Sequence, residues 1–170
     1  LAHVTVAVPM SRLSNSTRAT VTAPKHSTNA SAKNRVMACE KATVETAIAA
    51  TIKAGKHAQG TLCYTASPVH TVDGFVQMAK QLVDMGCHSI AIKDMAGLLT
   101  PQVTFELVSA LKKEIDLPLF LHSHYTSGMA SMCQLKAVEA GIDHIDTAIS
   151  AFAGGTSHPP TETMKAVLEA

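Results

Sequence analysis

The fold is decided by residues 89–124, which read SIAIKDMAGLLTPQVTFELVSALKKEIDLPLFLHSH. The apolar run SIAIK is followed by a loop and by Thr100 and Pro101, a suitable helix cap and a favoured first helical residue. An amphipathic helical pattern comes next, and a second apolar run begins at Leu117. Two such strands joined by a helix predict a parallel βα unit, because a parallel connection needs a crossover.

The same unit recurs on both sides of this stretch. Further apolar runs begin near Thr61 (TLCYT) and His144 (HIDTAI). Helices are predicted over 41–54, 72–85, 129–140 and 161–170. A closed eight-fold barrel needs about 250 residues. A chain of 170 residues with four clear units therefore predicts an α/β fold, about half of a TIM (β/α)8 barrel.

Residues 1–38 read differently from the rest. All thirteen acidic residues lie at or after Glu40, whereas residues 1–39 hold five Lys and Arg and no acid. The segment shows no sustained apolar period of 2 or 3.6. We expect it to be unstructured, the product of truncation or of out-of-frame translation upstream, with a genuine flexible extension as the alternative. The partial barrel is expected over 40–170.

Composition indicates the cellular compartment and the classes of partner to expect. Its cysteines form no CxxC pair and no disulfide scaffold, which favours a reducing, cytoplasmic location; they are Cys39, Cys63, Cys87 and Cys133. Cys63, Cys87 and Cys133 read as small core residues rather than nucleophiles. No run approaches the ~20 apolar residues of a membrane span, and the first residues lack the basic start of a secretory signal. No nucleic-acid partner is expected.

Polar residues cluster where the predicted strands end, which is where parallel α/β folds bind ligands. Each of the four strands contributes two of them: Tyr64 and Thr65, Lys93 and Asp94, His122 and His124, and Asp146 and Thr147. The other histidines are scattered singly and read as surface or capping residues: His57, His70, His88, His144 and His158.

His122 and His124 are two residues apart, which on a strand points both rings to one face, within reach of one cation. The alternative is one core histidine with a hydrogen-bonded neighbour. Two histidines alone leave a metal under-coordinated, since catalytic zinc usually has three protein ligands.

Lys93 ends the run SIAIK, where a lysine facing the interior is costly unless paired, deprotonated or modified. It could reach solvent, pair with Asp94, or form an anionic carbamate with carbon dioxide that binds a divalent metal.

Two further features stay open at this point. Asp94 could be a metal ligand or could orient one. In AFAGGTSHPPTET, Gly154 and Gly155 precede Thr156, so the turn could bring backbone amides and a hydroxyl to a ligand. The alternative for this segment is a turn and a helix cap.

Five motifs occur in order: GKHAQGTLCYTASPVHTVDGF, IAIKDMAGLLTP, LHSHYTSGMA, AGIDHIDTAIS and GGTSHPPTE. Together, over about residues 57–170, they resemble the pyruvate carboxyltransferase domain family. That family includes the oxaloacetate decarboxylase alpha subunit, the pyruvate-binding transcarboxylase subunit and pyruvate carboxylase. HYTSGMA and TSHPPTE look more like the decarboxylase and transcarboxylase branch.

The resemblance implies a TIM (β/α)8 barrel of which this chain would be the C-terminal half. The domain would move carbon dioxide, in either direction, between oxaloacetate or pyruvate and biotin on a separate carrier. A divalent metal, most often zinc with manganese or cobalt as alternatives, would polarise the 2-oxo acid and stabilise its enolate. By resemblance, Lys93 would be a carbamylated metal ligand, and His122 and His124 the imidazole ligands. Thr156 looks like the threonine that carries a proton between biotin and the enol of pyruvate.

The implied partners are the 2-oxo acid, a biotin carrier protein, a second copy in a homodimer and, for a sodium-pump type, membrane subunits. Two departures accompany the resemblance: His158 stands where the family usually has Gln, and the family's first-strand Asp has no counterpart. Two other readings remain. One is a related metal-dependent barrel lyase or acyl-CoA synthase, which normally lacks the lysine of KDMAG. The other is a catalytically inactive fragment with exposed sheet edges.

Overall fold

Strands and helices alternate along the chain in a computed structural model that describes residues 3–9 and 30–169, with side chains from residue 41. The strands are β1 (His3–Pro9), β2 (His57–Cys63), β3 (Ser89–Asp94), β4 (Leu119–Ser123) and β5 (His144–Ile145). The helices are α1 (Ala30–Lys53), α2 (Val72–Asp84), α3 (Pro101–Glu114), α4 (Ala130–Glu139) and α5 (Thr161–Leu168). A short 3-10 helix, Ser150–Phe152, lies before α5.

All neighbouring strands are parallel, in the order β1-β2-β3-β4-β5. Sequential order with a helix in each crossover is the arrangement of a TIM-barrel sheet, so the predicted α/β partial barrel is confirmed. The last strand is shorter than predicted, because it ends at Ile145. Beyond it, Ala148 forms only an isolated bridge with Pro160.

Two elements lie partly or wholly within residues 1–38, where no folded unit was expected. The backbone of β1 pairs with the whole of β2, from His3 opposite His57 to Pro9 opposite Cys63. The sequence HVTVAVP does place valine at every second position, the spacing of a strand, but the residues that follow it are rich in Ser and Thr and lack the helical pattern of a βα unit. Helix α1 also begins earlier than predicted, at Ala30. The origin of this segment and the division near residue 40 stay predictions, and residues 10–29 lie outside the described residues.

The helix boundaries follow the predicted local signals. The side chain of Thr71 accepts a hydrogen bond from the Gly74 amide at the start of α2. Thr100 caps α3 in the same way, and Pro101 is the first helical residue. Gly55 follows α1 with a φ of 67°, the left-handed conformation expected after a helix.

Alternation along the strands separates two faces of the sheet. One face packs on the helices and supplies most of the core, with Leu62, Ile90, Ile92, Leu119 and Leu121 all at most 1% exposed. The opposite face carries an in-register row, Cys63 beside Lys93 and Lys93 beside His122. In a closed barrel this opposite face is the interior. This row of residues lies at the carboxyl edge of the sheet, which is where TIM barrels bind their ligands.

The described cysteines are free thiols. Burial raises the pKa of Cys87 to about 11 and also raises that of the buried Cys133, as expected of core residues. Cys63 differs from these two cysteines in its position. It lies half-buried beside Lys93, on the face of the sheet away from the helices. Among the described helices, none is long and apolar enough to cross a membrane.

Asp143 ties the loop before β5 to the start of β4. Its Oδ2 accepts a hydrogen bond of 2.7 Å from the Leu119 amide and one of 3.0 Å from Lys112 Nζ. Partial burial alone would raise the pKa of Asp143, but these two hydrogen bonds and the charge attraction of Lys112 and His144 together outweigh it and hold the pKa below its usual value. The carboxylate therefore stabilises the fold in its ionised form.

Replacing Asp143 with Asn is expected to lower the free energy of unfolding by about 1 kcal/mol at neutral pH. Because the folded state lowers this pKa, the advantage is fully present above the unfolded value of about 3.9 and is lost as the pH falls through the folded value. Urea unfolding at neutral and at acidic pH measures this difference, with the exposed Asp116→Asn as the matched control. A deficit that does not shrink in acid would contradict the assignment.

Candidate metal centre

Three imidazoles meet at the carboxyl edge of the sheet. His122 lies on β4, His124 follows that strand directly, and His158 lies in the loop before α5. One ring nitrogen from each lies within 4.8 Å of the others. The ring centroids are 4.3 to 5.2 Å apart. The structure thus brings the predicted pair together and corrects the interpretation of His158 as an isolated surface or capping residue.

Each of the three rings is held through Nδ1. His122 Nδ1 lies 2.7 Å from the Asp146 carboxylate. His124 Nδ1 lies 2.5 Å from the backbone oxygen of Thr156, and His158 Nδ1 lies 3.0 Å from that of Ser123. A backbone carbonyl can only accept a hydrogen bond, so Nδ1 of His124 and His158 must carry the proton. The lone pair of each neutral ring is then on Nε2, which is the atom free to bind a cation.

The Nε2 atom of His124 is buried and has no hydrogen-bond partner in the described part of the chain. A buried polar atom without a partner destabilises a fold and usually indicates a water, an ion or a functional role. Three neutral imidazole nitrogens are a donor set that suits zinc and other divalent transition metals. The residues present therefore fit a divalent metal.

The loops that carry these rings are tied to each other. We call residues 123–125 the β4 exit and residues 154–158 the glycine turn. The Tyr125 amide donates to the backbone oxygen of Ser157 at 2.8 Å. Within the glycine turn, the Gly154 amide donates to the backbone oxygen of His158 at 3.0 Å. Each segment also supplies a histidine ring that donates to the backbone of the other. The glycine turn is therefore fixed against β4.

Glycine is required in that turn. Gly154 and Gly155 have φ values of 83° and 55°, a left-handed conformation that other residues rarely adopt. The turn orients the backbone oxygen of Thr156 toward His124. That it also brings amides to a ligand stays a prediction. Thr156 itself is exposed, and its hydroxyl makes no hydrogen bond with the part of the chain described here.

Asp94 faces away from the three rings. It is fully buried, and its two carboxylate oxygens each accept a hydrogen bond of 2.9 Å, from the amides of Leu98 and Leu99. The Ser123 hydroxyl lies 3.5 Å from Oδ2. Asp94 therefore orders the loop after β3, which argues against its being a metal ligand. Lys93 is half-buried on the opposite face, and it forms no ion pair with Asp94.

The loop after β3 contacts the β4 exit at Gly97. This glycine is buried and has a φ of 66°. A Cβ atom there would lie 2.9 Å from the backbone oxygen of His124 and 3.2 Å from the Ser127 amide nitrogen. Only glycine fits this position, so the backbone that carries His124 is fixed from the β3 side as well.

Asp146 orients His122. The hydrogen bond from His122 lowers the pKa of the Asp146 carboxyl, against the effect of burial, and the nearby His158 and His144 lower it further. Gln134 donates a hydrogen bond of 2.6 Å to the backbone oxygen of Asp146 and so anchors it. A carboxylate that holds the far nitrogen of a metal-binding imidazole fixes the tautomer and the ring orientation. Sequence reasoning placed Asp146 at a strand end and assigned it no role.

The HMGL-like family model matches residues 4–170. Over 126 residues the chain is 58% identical to a pyruvate carboxylase subunit from Methanocaldococcus jannaschii, covering 74% of this chain and 22% of that protein. Over 125 residues it is 52% identical to the methylmalonyl-CoA carboxyltransferase 5S subunit from Propionibacterium freudenreichii subsp. shermanii, covering 72% of this chain and 25% of that subunit. The chain thus spans a quarter or less of these relatives.

Among solved structures, the fold is similar to the carboxyl transferase domain of Rhizobium etli pyruvate carboxylase. The TM-score is 0.73 and the sequence identity 34%, over 75% of this chain and 22% of that one. The same domain, with the same similarity, has been solved with pyruvate and biocytin.

Proposed function

Because this chain belongs to the HMGL-like family, alongside the carboxyltransferases of pyruvate carboxylase and transcarboxylase, we propose that it is part of a biotin-dependent carboxyltransferase. The reaction would move carbon dioxide between carboxybiotin and pyruvate or oxaloacetate. The observation that carries this proposal is the group of imidazoles at the carboxyl edge of the sheet, each with Nδ1 already engaged. The relative solved with pyruvate and biocytin supports the choice of substrates.

In this proposal His122 and His124 hold the divalent metal, with zinc as the first choice. Bound there, the metal would act as a Lewis acid that polarises the carbonyl of the 2-oxo acid. Asp146 keeps the His122 ring oriented, and the glycine turn does the same for His124. These contacts fix both rings before any ligand arrives, which limits reorganisation during the reaction.

Lys93 is proposed as the third ligand, in the form of a carbamate. Its neutral Nζ would attack carbon dioxide, forming an N–C bond and releasing one proton, and the product carries an anionic oxygen. The registered neighbours of Lys93 are His122 and Cys63, and no carboxylate pairs with it in the described residues. A lysine without an anionic partner on this face is suited to such a modification.

Thr156 is proposed to carry the proton between biotin and the enol of pyruvate. Its hydroxyl is exposed, and its backbone is held by the His124 ring.

Within the family, HYTSGMA and TSHPPTE favour the oxaloacetate decarboxylase alpha subunit and transcarboxylase branch. Four further proposals rest on the resemblance and on composition. They are a separate biotin carrier, a homodimer, membrane subunits for a sodium-pump type and a cytoplasmic location.

The test is Lys93→Ala in the complete carboxyltransferase, assayed by decarboxylation of oxaloacetate with biotin. The rate is expected to fall by two orders of magnitude or more, on the order of the loss when a preorganised electrostatic group is removed. In ¹³CO₂-treated protein, the carbamate carbon signal should vanish in the same variant. Lys113→Ala, an exposed lysine on α3, is the matched control.

An undiminished rate in Lys93→Ala would refute the role given to this lysine. Avidin, which sequesters biotin, separates the proposed function from its alternative. A carboxyltransferase loses activity when avidin is added, whereas a related barrel lyase does not.

A further inference from the structure

His158 is the one imidazole of the group that the proposed function does not use. Its ring lies within the group formed by His122 and His124. Its Nδ1 donates to the backbone oxygen of Ser123, so the proton is on Nδ1 and the lone pair on Nε2. His158 therefore presents the same binding atom, prepared in the same way, as His124.

The geometry suits a shared ion. Three nitrogens bound to tetrahedral zinc at about 2.0–2.1 Å lie about 3.4 Å apart. One nitrogen from each ring already lies within 4.8 Å of the others. This bound exceeds the spacing around zinc by about 1.4 Å, a difference that side-chain rotation can supply.

We propose that His158 is a third nitrogen ligand of the metal, so that His122, His124 and His158 form a three-imidazole site. The inference rests on the metal site of the proposed function and adds one ligand to it. Three protein ligands and one open position are what catalytic zinc usually has. The site therefore binds a metal before Lys93 is modified, and a carbamate on Lys93 would add to an existing set of ligands.

His158→Gln tests this ligand directly. The Gln amide can still donate to the Ser123 oxygen, so the loop contact is preserved, but an amide oxygen is a weaker ligand for zinc or cobalt than an imidazole. Titration with Co²⁺ in CO₂-depleted buffer keeps Lys93 unmodified. We expect the affinity of the complete chain to fall tenfold or more, roughly the effect of disturbing a metal site. The visible absorption of Co²⁺, which reports coordination number, should change as well.

His88→Gln is the matched control, because His88 is exposed and precedes β3 at the opposite end of the sheet. Imidazole ¹H–¹⁵N spectra of the unmutated chain give a readout that does not depend on how a variant folds. Saturating Zn²⁺ should shift Nε2 of His158 together with Nε2 of His122 and His124. Nδ1 of His158 should remain protonated.

The outcomes separate this inference from the proposed function. Unchanged Co²⁺ affinity in His158→Gln, or an unmoved His158 Nε2 signal, would overturn the third ligand and leave the other two in place. Binding only after CO₂ is restored would also overturn it while supporting the Lys93 carbamate. Failure to bind metal under either condition would overturn both the inference and the metal site on which it rests.

Discussion

His124→Ala is expected to weaken Zn²⁺ binding by about 100-fold or more, since the loss of a ligand should exceed the 10- to 100-fold effect of losing a supporting contact. His124 has the buried Nε2 that lacks a partner in the described part of the chain, and its Nδ1 holds the backbone of Thr156. Alanine removes both the ligand and the tie. Competition with a chromophoric chelator, performed on the complete chain, measures the change.

A second variant separates the two roles of this ring. In His124→Asn the side-chain amide can still donate to Thr156, but no imidazole is left to bind a metal. We expect Zn²⁺ affinity to fall in both variants, with a smaller loss of folding stability in Asn than in Ala. Affinity that stays unchanged in both, against His88→Ala as control, would refute the metal centre.

Asp94→Ala is expected to lower the free energy of unfolding by about 3 kcal/mol, because it removes two hydrogen bonds to a buried carboxylate and leaves the amide donors of Leu98 and Leu99 unpaired. Asp94 is fully buried, and it accepts from the amides of Leu98 and Leu99. Urea unfolding gives the value directly. The exposed Asp84→Ala should change stability by less than about 0.5 kcal/mol.

The Asp94 variant should also weaken metal binding, although Asp94 does not face the metal site. The loop that it orders contains Gly97, which lies against the backbone of His124. The His124 amide in turn donates to the backbone oxygen of Asp94 at 3.0 Å. If stability fell by less than about 1 kcal/mol, the buried carboxylate would not have the organising role that its hydrogen bonds indicate.

The strands and helices from β2 onward, and the later part of α1, could be predicted because their signals are local. Apolar alternation, Thr71 and Thr100 as caps, and Pro101 at a helix start depend on neighbouring residues only. Alternation also places Lys93 and Asp94 on opposite faces, so the orientation of Asp94 could have been inferred from its position on β3. β1 was missed because its alternation stands alone in an acid-free segment rich in Ser and Thr, without the adjoining amphipathic pattern from which the other βα units were read.

His158 was missed because its environment is made by contacts distant in sequence. It is 34 positions from His124, and the two meet only because the glycine turn lies against the β4 exit. The one available signal was that, by the resemblance, His stands at position 158 where Gln is usual. Such a change indicates the loss of a family residue, but it fits the gain of a metal ligand equally well. The metal-binding role of Lys93, His122 and His124 and the proton transfer by Thr156 stay predictions.

The crossed ties between the β4 exit and the glycine turn set how long an ion would remain. His124 is anchored on residue 156 and His158 on residue 123, so neither ring can swing away unless its own tie breaks. Separating the two segments would break both hydrogen bonds at once, and the histidine rings would then move apart in a single event. The residence time of a metal bound there would thus depend on the local unfolding of two short loops, and not only on the strength of the bonds to nitrogen.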